Sequence, residues 1–200
     1  LAKRNITEIL PDAFLAAGRV RSRVTSLSLR GNHLTELPEG LFVDLLDQDF
    51  IITSLDLGYN RLMALSAGVF QTRSARKVRM DSLHLESNHF TTLPAGVFKG
   101  VEVDQVYLRN NNLTQLHAEA FHGLTFGQNR TLDISQTNLR QLPPKVFDGL
   151  ELDRLYLQNN NLSQLHPETF HGLMLCYSSN DCILDISHNQ LQVLHAEAFH

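Results

Sequence analysis

The 200-residue chain has no tryptophan, three methionines and two cysteines. Two cysteines cannot build a disulfide-stapled scaffold, and they supply half of a tetrahedral zinc set with no histidine in the same segment. No run of 18 apolar residues occurs, so nothing reads as a transmembrane helix. An excess of basic charge is missing too: 17 Lys and Arg face 21 Asp and Glu, for a net charge of −4 at pH 7. Nucleic-acid binding needs a concentrated basic footprint, and this composition gives none. No GxSxG, HExxH, Gly-rich phosphate loop or kinase set is found. We therefore assign no catalytic residue, no cofactor and no metal, and expect a non-enzymatic protein.

What is present is a repeat. Asn32, Asn60, Asn88, Asn111, Asn160 and Asn189 recur at steps of 23 to 29 residues if Thr137 fills one slot. Each is preceded by an alternating apolar pair, such as Leu27 and Leu29 or Val106 and Leu108. Alternation of period two means a short strand with one face buried. A further apolar residue follows two positions after the slot, then Leu, then Phe. Phe42, Phe70, Phe98, Phe121, Phe147, Phe170 and Phe199 share that last position, and Phe14 belongs to a partial unit at the start. Eight of the 11 Phe thus stand in one column, which should stack behind the strands. The buried Asn amides should satisfy backbone groups of neighbouring turns, and Thr137 should do so with fewer bonds.

This pattern, LxxLxLxxNxLxxL, resembles the leucine-rich-repeat superfamily over nearly the whole chain. Phrases such as LPAGVFKG (93–100) and LPPKVFDGL (142–150) are similar to the animal extracellular subclass, which includes Toll-like receptors, variable lymphocyte receptors and guidance proteins. The resemblance implies an α/β solenoid: a curved parallel sheet on the concave face, with loops and short helical turns on the convex face. Residues 1–200 read as a single array of about eight repeats, the first and last incomplete and without the Cys-rich caps of extracellular members. A longer protein is the expectation.

The spacing from Phe to the next strand is irregular. It is 8 residues after Phe98 and Phe147, 11 after Phe121, 13 after Phe14, Phe42 and Phe70, and 14 after Phe170. Insertions in such arrays are expected on the face opposite the sheet. Three of them alternate in charge: Arg19, Arg21 and Arg23, then Asp44, Asp47 and Asp49, then Arg73, Arg76, Lys77 and Arg79. Mutual neutralisation on a solvated face is one reading. A polyanion site, for a sulfated glycan, on Arg73, Arg76, Lys77 and Arg79 is the sharper one.

Cys176 and Cys182 lie six apart in the longest insertion. They read as a local disulfide, with free thiols in a reducing compartment as the alternative. Four N-x-[ST] sequons, at Asn5, Asn112, Asn129 and Asn161, are candidate N-glycosylation sites. Together these favour an extracellular or cell-surface protein. The recurring histidines (His117, His166 and His195; His122, His171 and His200) follow the repeat and are better explained by its copying than by a metal site.

Outward-pointing strand residues form rows along the sheet. One row runs Ser28, Asp56, His84, Tyr107, Asp133, Tyr156, Asp185. Tyr and Arg are favoured as interface anchors, so Tyr59, Tyr107, Arg109, Arg154 and Tyr156 are the candidate ligand-binding residues. Two function classes follow. The first is a recognition module of receptor or adhesion type, binding protein or glycan on the concave face. The second is a matrix or assembly protein that self-associates through solenoid edges and enlarged convex loops.

Overall fold

The computed structural model describes residues 1–14, 26–43, 53–72, 77–176, 181–194 and 196–199. Seven parallel strands, one per repeat, form a sheet in strict chain order: β1 (Ser26–Ser28), β2 (Ser54–Asp56), β3 (Val78–His84), β4 (Val101–Tyr107), β5 (Thr125–Asp133), β7 (Arg154–Tyr156) and β9 (Ile183–Asp185). A second ribbon pairs β6 (Glu151–Leu152) with β8 (Met174–Leu175). The expected alternation sets the register. Leu27, Leu55, Leu83, Val106, Leu132, Leu155 and Leu184 are direct partners across the sheet. Behind them the apolar residues of all repeats merge into one buried core.

The eight Phe rings stack as one column from Phe14 to Phe199, with consecutive centroids 5.6 to 6.3 Å apart. Paired strands lie only ~4.8 Å apart. A back that advances further per repeat than the front bends the solenoid, so the sheet becomes its inner, concave face. Helix is sparse. Among the described residues the backs of the repeats are mostly turns, with a short 3-10 helix at Ala196–Phe199. Among the described residues no helix is long and apolar enough to cross a membrane.

The Asn column is a ladder. Asn60 Nδ2 donates to Leu57 O of its own repeat and Leu29 O of the preceding one, while its Oδ1 accepts from Leu34 N of that repeat. Asn88, Asn111 and Asn189 repeat the scheme. Thr137 is the exception. Its hydroxyl donates to Ile134 O or Asn160 Oδ1, both within reach, and bonds nothing in the preceding repeat. Replacing Thr137 with Asn should add the two missing backward bonds, to Leu108 O and from Leu113 N. Unfolding free energy should then rise by about 1 kcal/mol. A lower denaturation midpoint would show that this turn is too tight for an amide.

The insertions depart from expectation. The connection after Phe98 is mostly strand, because residues 78–80, 101–103 and 125–126 pair in register ahead of the concave strands. The three extra residues after Phe121 form a bulge in β5 opposite Asp104, where Val103 pairs with Phe126 and Gln105 with Thr131. Asp104 Oδ1 holds this bulge by accepting from Gln128 N at 2.6 Å. After Phe170 the extra residues fall between β8 and β9 and are closed by the Cys176–Cys182 disulfide, whose Cα atoms are 5.3 Å apart. The insertion after Phe121 therefore sits at the leading edge of the concave sheet, not on the convex face. Extending the parallel pairing satisfies backbone groups that a convex loop would leave to water. The charged segments at 19–23, 44–49 and 73–76 lie outside the described residues.

Candidate recognition face

Strand pairing places Ser28, Asp56, His84, Tyr107, Asp133, Tyr156 and Asp185 side by side in one row. The trailing edge has a property that the residue types do not announce. Gly31, Tyr59, Ser87, Asn110, Gln136, Asn159 and His188 all take φ between 53° and 68°. This left-handed turn swings the next residue, the ladder Asn or Thr137, into the core. For Tyr, Gln and His it costs on the order of 1 kcal/mol, which the ladder bonds offset.

The first half of the face is organised around Arg30. Its Nη1 lies 2.6 Å from Glu86 Oε1 and 3.3 Å from Asp56 Oδ1, so one guanidinium spans three repeats. Gly58 stands between Arg30 and Glu86, and a Cβ there would come within 2.8 Å of Arg30 Nη1 and 3.1 Å of Glu86 Cδ. The missing side chain is what lets the pair form. Arg30 also lies 4.2 Å over the ring of Tyr59, which is 51% exposed. Glu86 is buried, with His84 Nδ1 3.3 Å from its Oε2. Burial alone would raise the Glu86 pKa, but the nearby His84 imidazole and the hydrogen bond from Arg30 outweigh it and hold the carboxyl at about 2.

The second half centres on tyrosines. Tyr107 stacks on His84 with centroids 4.9 Å apart, and its hydroxyl donates to Gln105 Oε1 at 3.1 Å. Desolvation, then the Asp133 carboxylate, raise its pKa. Tyr156 is half-buried between Asp133 and Asp185 in the row. Each Asp accepts from the backbone N and the hydroxyl of the Ser two residues on, Ser135 or Ser187. The Ser187 bonds draw the Asp185 pKa down.

Of the candidate anchors, Tyr107 and Tyr156 therefore share a row. Arg109 is exposed in the row of Arg30, Gly58 and Glu86. Tyr59 belongs to the trailing-edge turns, and Arg154 to the leading row with Thr131 and Ile183, where Asp181 Oδ2 lies 3.5 Å from its Nη2. Arg30, Glu86 and His84 were not among the candidates. The signal was a lone Gly inside a row of charged residues.

Of the polyanion candidates, Arg73 and Arg76 lie outside the described residues. Lys77 Nζ is 3.3 Å from Thr125 Oγ1, and Arg79 pairs with Glu102 at 2.7 Å beside Asp81 and Asp104. The charge there is mixed. Asn5, Asn112, Asn129 and Asn161 are all exposed. His117 and His166 use Nδ1 to accept from Glu119 N and Glu168 N, a local cap on the turn. His195 and His200 lie outside the described residues.

The leucine-rich-repeat family model matches residues 78–125 and 130–176. A solved structure of a leucine-rich-repeat protein from Leptospira interrogans is similar in fold, with a TM-score of 0.65 and 22% identity. The match covers 98% of this chain and 44% of that one, so the chain spans less than half of that protein's length. A search of curated proteins gave no match.

Proposed function

We propose that this leucine-rich-repeat solenoid is an extracellular recognition module whose concave face binds a protein or glycan ligand. The observation that carries this reading is the ordered state of the half-buried Tyr107 and of the exposed Tyr59 at the edge of that face. Tyr107 is fixed by Gln105 and His84, and Tyr59 by Arg30, so little side-chain entropy is left to lose on binding. Aromatic anchors that are already in place are what interface hot spots are made of. The Cys176–Cys182 disulfide and the four exposed sequon asparagines support a secreted or cell-surface setting.

The test is a screen of the purified chain against extracellular proteins and glycans, followed by the Tyr107→Ala/Tyr156→Ala double variant. Binding should weaken at least about tenfold while the fold is kept. Self-association that survives the same changes, with no other partner found, would favour the assembly reading. Intact mass before and after reduction and glycan removal checks the compartment. Free thiols with no glycan would overturn it.

A further inference from the structure

The two halves of the concave face share a chemistry but differ in one component. In the first half, carboxylates (Asp56 and Glu86) and an aromatic ring (Tyr59) surround a guanidinium that the chain supplies itself, Arg30. In the second half the row runs Tyr107, Asp133, Tyr156, Asp185, again alternating ring and carboxylate. Here no cation of the protein forms a salt bridge with either Asp among the described residues. Asp133 is 7% exposed. Its Oδ1 is taken by Ser135, and its Oδ2 accepts no hydrogen bond from the described residues. That oxygen is left open to an incoming cation, which would add a charge-assisted hydrogen bond to it.

Resting on the concave-face reading above, we propose that Tyr107, Asp133, Tyr156 and Asp185 bind the guanidinium or ammonium groups of an extended cationic polypeptide segment. Successive row members lie ~4.8 Å apart, so Asp133 and Asp185 are separated by roughly 10 Å. That is about three residues of polyproline-II chain at ~3.1 Å each, a conformation whose side chains return to the same face every third residue. Two basic side chains at such a spacing meet the two carboxylates, and the rings of Tyr107 and Tyr156 lie beside them for cation–π contact. The Ser135 and Ser187 bonds keep the carboxylates oriented before the partner arrives. Arg30 over Tyr59 shows the same recognition made intramolecularly on the same sheet.

The experiment uses fluorescent oligo-arginine and oligo-glutamate peptides of equal length, read by anisotropy at about 0.15 M salt. Oligo-arginine should bind and oligo-glutamate should not. The Asp133→Asn/Asp185→Asn variant keeps the acceptor that each Ser needs and should lose at least about tenfold in affinity. The Glu119→Gln/Glu168→Gln variant, which removes two exposed carboxylates elsewhere, should bind as the parent does. Equal losses in both variants would reduce the effect to net charge and overturn the proposal. So would unchanged binding in the Asp variant. Should that variant fail to fold, carboxyl footprinting of the parent decides: oligo-arginine must protect Asp185, and lack of protection refutes the site. A neutral or anionic partner lost on Tyr107→Ala/Tyr156→Ala, with no oligo-arginine binding, would leave the recognition reading standing and sink this one.

Discussion

Replacing Asn160 with Ala is expected to destabilise the protein by about 4 kcal/mol, at the far end of single-substitution effects. The side chain is buried and takes part in four hydrogen bonds, and a fifth when the Thr137 hydroxyl turns to it. Its Oδ1 accepts from Thr137 N, Thr137 Oγ1 and Leu139 N, and its Nδ2 donates to Ile134 O and Leu157 O. Alanine strands several of these backbone groups in the core, and each buried unsatisfied group costs ~1–3 kcal/mol. Aspartate should do no better, since it turns the donor into an acceptor facing two carbonyl oxygens. The exposed neighbour Asn161, changed to Ala, is the control and should move stability by at most about 0.5 kcal/mol. Chemical denaturation measures all three. A cost below about 1 kcal/mol for Asn160→Ala would mean that the ladder does not hold the repeats together.

Acidification should remove about 3 kcal/mol of stability through Glu86 alone. Its pKa falls from an ordinary 4.5 to about 2 in the folded protein, and each unit is worth ~1.4 kcal/mol. A depressed carboxyl pKa stabilises the fold above the unfolded value and loses that contribution as the pH drops through the folded one. The window therefore runs from about pH 5 down to about 2. In Glu86→Gln the acid limb of a stability-versus-pH curve should be flatter across that window. Asp185, also drawn down, keeps a smaller slope in the variant. Parallel acid limbs in parent and variant would show that Glu86 is not held ionised by Arg30 and His84.

The solenoid, the register and the Phe column were all legible in the sequence, because each is a local pattern copied seven times. Stacking copies in parallel carries row membership with it, so Tyr107 and Tyr156 could be placed in one row before any coordinates. The Arg30–Glu86 pair was not legible. It joins residues 56 apart and depends on how far a side chain reaches over an intervening repeat. Nor were the left-handed turns, since Tyr59, Gln136 and His188 adopt them against their own preference, held by the neighbouring ladder. The bulge opposite Asp104 escaped for a similar reason. Spacing counts extra residues but does not say on which side of a turn they are absorbed.

Two sets of bonds tie the repeats together, and each is interrupted at a different seam. The side-chain ladder skips a rung at Thr137, between the fourth and fifth repeats, where β4 and β5 pair from Glu102 and Thr125 onward. The leading strand pairing lapses between the fifth and sixth, where β6 pairs with β8 and the crossing is left to Asp153 N donating to Arg130 O and to the Arg130–Glu151 ion pair, while Asn160 bonds back to Ile134. Like staggered joints in brickwork, no seam is open through the whole wall. A crack begun at either gap runs into an intact course, so repeats three to seven should come apart as one cooperative block, with amide exchange equally slow on both sides of each gap.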